Sequence, residues 1–195
     1  MQKYNFFLYL CNKNQFGVSL ISMKLNLEDL TRACQRHDIR AQRQLYEEFA
    51  PMMLGVCCRY THNLEEAQDL LHDGFVKVFE NIGHLKNPHA VEDWIYHVMV
   101  NTSVNYVKRH RFRFEPLPDN TDDPPIVVNT SSISSEDLAI LIRQLPDPYQ
   151  LVFNLREVEG EEFSDIASRL GIADNSVRSI LSRAKKMLRD QINKL

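Results

Sequence analysis

The last third of the chain places the tightest limits on the fold. Phe163, Ile166, Ala167, Leu170, Gly171, Val177 and Ile180 carry the spacing of two helices joined by a tight turn. From Glu162 to Leu170 the apolar residues recur at i, i+3, i+4 and i+7, the pattern of a helix that buries one face. Ala167 is small where the two helices cross, and Gly171 stands where the turn calls for φ > 0. In the second helix, at ~100° per residue, Val177, Ile180, Leu181, Ala184, Met187 and Leu188 fall within one arc of ~120°. Arg178, Ser179, Ser182, Arg183, Lys185, Lys186 and Arg189 fall within the opposite arc of ~160°. Ser176 to Arg189 holds five Lys or Arg and no acid. One face packs and the other is cationic, which suits a helix laid in the DNA major groove with guanidinium groups toward phosphates and base edges. An amphipathic hairpin with a solvated cationic face has the same pattern. Asn175 and Ser176 are expected to cap this helix.

The rest of the chain is helical in pattern too, with no alternating stretch long enough for a sheet. Leu27, Leu30, Ala33 and Cys34 begin the first stripe, and Leu45, Phe49, Met52, Met53, Val56 and Tyr60 continue in a longer helix. Ala67, Leu70, Leu71, Phe75, Val78, Phe79 and Ile82 mark the next, and Gly83 to Pro88 breaks the chain. A fourth helix begins near His89 and carries Trp94, Ile95 and Val98. Asn101 and Asn105 prolong the Trp94 and Val98 stripe where apolar side chains are expected, so two amides there need partners. The basic cluster Lys108, Arg109, His110 and Arg111 follows.

Residues 114–134 change character: four prolines, four acids and no base, with a Ser/Thr-rich end and no period. They read as a linker, able to span ~70 Å at ~3.3 Å per residue, about two turns of duplex. A second helical unit follows over 135–195, with Ser135 or Ser134 as N-cap, a helix through Gln144, a Leu145 to Pro148 turn, a helix to about Val158, and then the helix-turn-helix. The expected fold is therefore all-α: an N-terminal helical bundle over 25–113 and a C-terminal helix-turn-helix domain, joined by an acidic, proline-rich linker. Residues 1–24 lie before the periodic sequence that Met23 opens, either as a flexible extension or from an upstream start. Their apolar run, Phe6 to Leu10, is far short of the ~18 residues a membrane span needs, so no direct membrane insertion is expected.

Charge limits the function. The formal net charge of −3 is unfavourable for a protein that holds DNA unaided, because nonspecific affinity comes mainly from neutralising phosphates. Basic residues are instead concentrated locally, with four Lys or Arg and no acid between Asn101 and Arg113. Something larger must carry such a chain to DNA. The four cysteines form no CxxC and no regular framework, which suits reduced thiols in the cytoplasm, with Cys57 and Cys58 packed in a core. No Gly-rich phosphate loop, nucleophile elbow or HExxH is present; His72 and Asp73, adjacent on a helix, point ~100° apart. Neither catalytic residues nor a metal or cofactor is expected.

The order of these parts resembles a known family. DLLHDGFVKVF (69–79), DWIYHVMVNTSVNYVKRHR (93–111), QLPDPYQLVFNLREVEG (144–160) and FSDIASRLGIADNSVRSILSRAKKMLR (163–189) make residues 25–195 similar to a sigma-70-type RNA polymerase sigma factor of the small extracytoplasmic-function group. The resemblance implies that 25–113 is sigma region 2, which docks on core RNA polymerase and reads the melted −10 element, and that 135–195 is sigma region 4, which reads the −35 duplex. It places Asp69, His72, Asp73 and Lys77 on the polymerase clamp, with His72 and Asp73 standing where the family commonly has Gln and Glu. Asn101 and Asn105 become candidates for a flipped base, whose edge an amide can match, with Tyr106, Lys108 and Arg109 steadying the unstacked strand. Arg178, Ser179, Ser182 and Arg183 take the groove-facing positions at −35, and Lys185, Lys186 and Arg189 the phosphate-facing ones. Asn175 and Ser176 replace the family's usual Gly-Thr, and Glu162 a more usual Ser or Thr. Promoter DNA, core polymerase and a cognate anti-sigma factor are the implied partners. The alternative is a helix-turn-helix regulator that binds duplex DNA independently of polymerase; it leaves 69–79 and 101–111 without a role.

Overall fold

The computed structural model describes residues 27–112 and 134–193. The expected N-terminal extension and nearly all of the expected linker lie outside them. The chain forms two compact units, one up to Asn105 and one from Tyr106. Every regular element among the described residues is helical.

The first unit is built from α1 (Leu27–Gln35), α2 (Ile39–Cys58), α3 (Leu64–Asn81) and most of α4 (Val91–His110), whose last turn from Tyr106 on belongs to the second unit, with 3-10 turns at Ile82–His84 and Pro88–Ala90 before α4. Local chemistry sets the boundaries. The Asp38 carboxylate accepts from Arg40 N and Ala41 N at the start of α2, and Asn63 Oδ1 accepts from Glu66 N at the start of α3. Leu45, Phe49, Met53 and Val56 of α2 and Ala67, Leu70, Leu71, Phe75 and Val78 of α3 are buried, the stripes expected from their 3.6-residue spacing. Gln35 Nε2 donates to Ile82 O and Leu85 O at 3.0 and 2.9 Å, tying α1 to the turn after α3.

The core face of α4 differs from the expected one. Its buried stripe is Val91, Ile95, Met99, Val104 and Val107, while Trp94 and Val98 are only half-buried and Asn101 and Asn105 are exposed. Neither amide therefore lies in the core. Because α4 carries apolar side chains around most of its circumference, the pattern alone misassigned the Trp94 face to the core.

Gly74 lets α3 approach α4: a Cβ built on it would lie 2.8 Å from Met99 Cε and closer still to Sδ. Gly74→Val is expected to cost about 1–3 kcal/mol by overpacking, because the flexible tip of Met99 must shift within a buried site. In urea denaturation its loss should combine with that of Met99→Ala to less than the sum, because removing the thioether makes room. Cys34, Cys57 and Cys58 are buried and not joined in a disulfide. Burial pushes Cys34 up to about 11 and Cys57 up to about 12. A thiol reagent at pH 8 should therefore leave both unlabelled on mixing with native protein and modify both in denaturant.

The second unit contains α5 (Ser135–Arg143), α6 (Asp147–Phe153), a π-helical turn (Asn154–Val158), α7 (Phe163–Leu170) and α8 (Asp174–Ile192). Ser134 is the α5 cap, its Oγ accepting from Asp137 N at 3.1 Å. Leu141 and Leu145 pack with Ala184 and Leu188 of α8, with Tyr149, Phe153 and Met187 against them. Ile166, Ala167 and Leu170 of α7 and Val177, Ile180 and Leu181 of α8 are buried as the spacing predicts. Gly171 ends α7 at φ 74 and ψ 35, the left-handed conformation the turn requires. The expected capping by Asn175 and Ser176 does not occur. The α8 helix starts at Asp174, with Ala173 as N-cap and no side-chain cap bond, so both residues already lie inside its first turn. Asp174 supplies a carboxylate there for the positive end of the helix dipole.

A candidate nucleic-acid interface

The α8 helix presents its cationic arc as the sequence predicts. Arg178, Lys185 and Lys186 are exposed, and Ser179, Ser182, Arg183 and Arg189 are half-buried. These groups are not equivalent. Lys185 Nζ lies 2.9 Å from Glu157 Oε1, so a phosphate must compete with a carboxylate already in place. Arg178 stands in a different setting. Its Cζ lies 4.0 Å from the centroid of the Phe163 ring, and Asp174 Oδ2 is 3.9 Å from its Nη2.

The π-helical turn organises the surroundings. It is closed by Glu159 N donating to Asn154 O at 2.9 Å, an i→i+5 bond. Arg156 and Glu157, both within that turn, reach different helices: Arg156 Cζ sits 4.6 Å from the Phe163 centroid on α7, and Glu157 pairs with Lys185 on α8. Arg156 Nη1 also donates to Glu161 O at 2.7 Å and lies 3.3 Å from Glu162 Oε2. Glu162, at the start of α7, thus pairs with Arg156 and makes no side-chain cap bond. Glu161 pairs with Arg169; burial raises its carboxyl above the usual range and the Arg169 guanidinium pulls against that shift. Sequence reasoning missed Arg156 and gave Phe163 only a packing role, because a contact between residues on separate helices leaves no periodic trace.

A second polar face lies on α4. Trp94, Val98, Asn101 and Asn105 fall within about 60° of one another around the helix, with Lys108 and Arg109 on either side of that face. Two half-buried apolar side chains thus lead into two exposed amides bordered by cations, the chemistry that stacks and reads unpaired bases. Tyr106 does not join this group. It lies about 100° round from Asn105, half-buried, with its ring 4.7 Å from that of His110 and 5.4 Å from Arg111 Cζ.

On α3, Asp69, His72 and Asp73 share one exposed face, joined by Val76 at 55% exposure. The His72 ring stacks on Tyr46 at 6.4 Å. Lys77 departs from this face: it is half-buried and its Nζ donates to Thr102 Oγ1 of α4 at 3.1 Å. Val76 was not singled out in the sequence, where one valine among many apolar residues gives no sign that it faces outward. No three His, Cys, Asp or Glu side chains converge as a metal site among the described residues, and no described helix is long and apolar enough to cross a membrane.

Comparison with known proteins accounts for both units. The family model for sigma-70 region 2 matches residues 45–113, and that for sigma-70 region 4 matches 135–188, together well over half the chain. RNA polymerase sigma-H factor of Pseudomonas aeruginosa is 28% identical, over 83% of this chain and 91% of that protein. RNA polymerase sigma factor YlaC of Bacillus subtilis is 29% identical, over 77% and 91%. ECF RNA polymerase sigma factor SigE of Mycolicibacterium smegmatis is 28% identical, over 77% of this chain and 61% of that protein. A helix-turn-helix with one cationic face, a helical bundle ahead of it and these matches lead to one conclusion: the chain belongs to the sigma-70 family of RNA polymerase sigma factors, in its extracytoplasmic-function group.

Proposed function

We propose that this sigma factor divides its work among three surfaces. The α3 face of Asp69, His72, Asp73 and Val76 docks on core RNA polymerase. The α4 face of Asn101, Asn105, Lys108 and Arg109 holds the unpaired strand of the −10 element and assists melting. The α8 arc of Arg178, Ser179, Ser182 and Arg183 reads the −35 duplex, with Lys185, Lys186 and Arg189 on phosphates. In terms of the chain these surfaces belong to residues 25–113 and 135–195, on either side of the linker 114–134. The protein works where core polymerase works, in the cytoplasm, and the family resemblance includes an anti-sigma partner that masks these surfaces.

The observation that carries this reading is the α4 face. The helix-turn-helix already supplies duplex binding, and a regulator acting on intact DNA has no use for exposed amides in line with a half-buried tryptophan. A duplex buries its Watson–Crick edges in base pairs, whereas a melted strand offers them to such a face. Abortive initiation with core polymerase on promoter fragments from the same genome tests it. Short products from a defined subset of fragments, only when this chain is present, are expected. Asn101→Ala should slow open-complex formation on duplex templates and have less effect on templates already mismatched at −10. Equal loss on both templates counts against the role in melting.

A further inference from the structure

Arg178 is the most exposed arginine of the α8 arc and depends on an unusual neighbour. Its ion pair with Asp174 is long, at 3.9 Å, with side chains 56% and 45% exposed, and exposed i,i+4 pairs of this kind orient a guanidinium weakly. The Phe163 ring is a closer restraint, with Arg178 Cζ 4.0 Å from its centroid. The same ring carries Arg156, whose charge is met by Glu162 and whose Nη1 is held by the Glu161 carbonyl. Phe163 is itself half-buried at the start of α7, which restricts the movement of its ring.

From this geometry we propose that Phe163 is a positioning residue for −35 recognition: its ring holds the Arg178 guanidinium in the attitude that meets a base edge. A guanidinium stacked on a ring keeps its N–H donors pointing outward in its own plane, and those donors form a bidentate contact with guanine O6 and N7. Stacking therefore restrains the plane without using the donors. An arginine already ordered before it meets DNA loses less conformational freedom on binding. The π-helical turn contributes by bringing Arg156 to the ring with its own carboxylate, so the second cation does not repel Arg178 uncompensated.

This inference rests on the groove reading of Arg178, and the test separates the two. Holoenzyme formed with the full chain transcribes a pooled template library with a randomised −35 hexamer, and transcript abundance gives the preference at each base pair. Arg178→Ala should abolish preference at one or two pairs. Phe163→Leu and Phe163→Met should lower preference at those same pairs about two- to five-fold, the range of a cation–π contact at an exposed site. Phe163→Tyr should restore it, and Phe163→Leu should add nothing in the Arg178→Ala background.

Unchanged preference in Phe163→Leu alongside its loss in Arg178→Ala overturns the platform alone. So does an equal loss at every pair, or a further loss in the Arg178→Ala background. Unchanged preference in Arg178→Ala overturns the groove reading and the platform with it. Proton spectra of the unsubstituted full chain provide an arm that no folding defect can obscure. The Arg178 δ protons should lie upfield of those of solvent-exposed arginines because of the ring current, and ordinary shifts there overturn the proposal.

Discussion

Replacing Arg178 and Arg183 together by alanine is expected to reduce initiation at a cognate promoter at least about 30-fold while leaving core-polymerase affinity unchanged. One good bidentate base contact discriminates by about 1–3 kcal/mol, and two such side chains share the groove-facing arc. The fold should survive the change. Arg178 is exposed and Arg183 half-buried, and the apolar stripe of Val177, Ile180, Leu181, Ala184 and Leu188 that seats α8 is untouched. The effect should concentrate in base preference. Lys186→Ala is expected to behave differently, weakening all sequences alike and lowering the salt slope by about one. Lys185→Ala should fall below even that, because the Glu157 carboxylate already occupies its ammonium. Quantitative transcription with the double variant and each lysine variant, at two salt concentrations, separates these classes.

The second large effect is expected at the opposite end of the chain. Asp73→Arg and Val76→Asp should each weaken the complex with core polymerase about ten- to a hundred-fold and leave the −35 preference of the remaining holoenzyme as it was. Asp73 and Val76 are exposed on the outer face of α3, whereas Ala67, Leu70, Leu71, Gly74, Phe75 and Val78 face the core. Neither change therefore touches packing. An exposed valine among carboxylates has the form of an interface anchor with a charged rim, where a buried charge is costly and a reversed charge repels. Lys77→Ala should act through the protein's own stability instead, since its amine bridges to Thr102 on α4. Titration of labelled protein with core polymerase, alongside thermal unfolding, distinguishes binding loss from folding loss.

How far the sequence revealed these surfaces depended on whether burial or direction decided them. The α7 and α8 stripes were legible because each helix has one apolar side, and a 3.6-residue period with a single apolar side leaves one way to pack. Gly171 was legible because a tight turn needs a left-handed residue. In α4 the same reasoning misled: apolar residues around most of the helix made Trp94 and Val98 resemble core, when Val91, Ile95 and Met99 fill it. The difference bears on the proposed function, since Asn101 and Asn105 continue an exposed face of α4 rather than its core stripe. Asn175 and Ser176 are residue types that favour a cap position, but α8 begins earlier, at Asp174. The π-helical turn had no signal at all. An i→i+5 bond depends on tertiary packing, and only in three dimensions do Arg156 and Arg178 meet on Phe163.

Direct binding of the purified chain to intact promoter duplex, with and without core polymerase at ~0.15 M salt, tests most squarely whether this net-acidic protein needs a larger carrier to reach DNA. Dependence on such a carrier entails weak, sequence-indifferent binding by the chain alone, with a dissociation constant of about 1 µM or higher, and selective capture once core polymerase is added. Tight, sequence-selective binding by the chain alone, unaltered by polymerase, would contradict it.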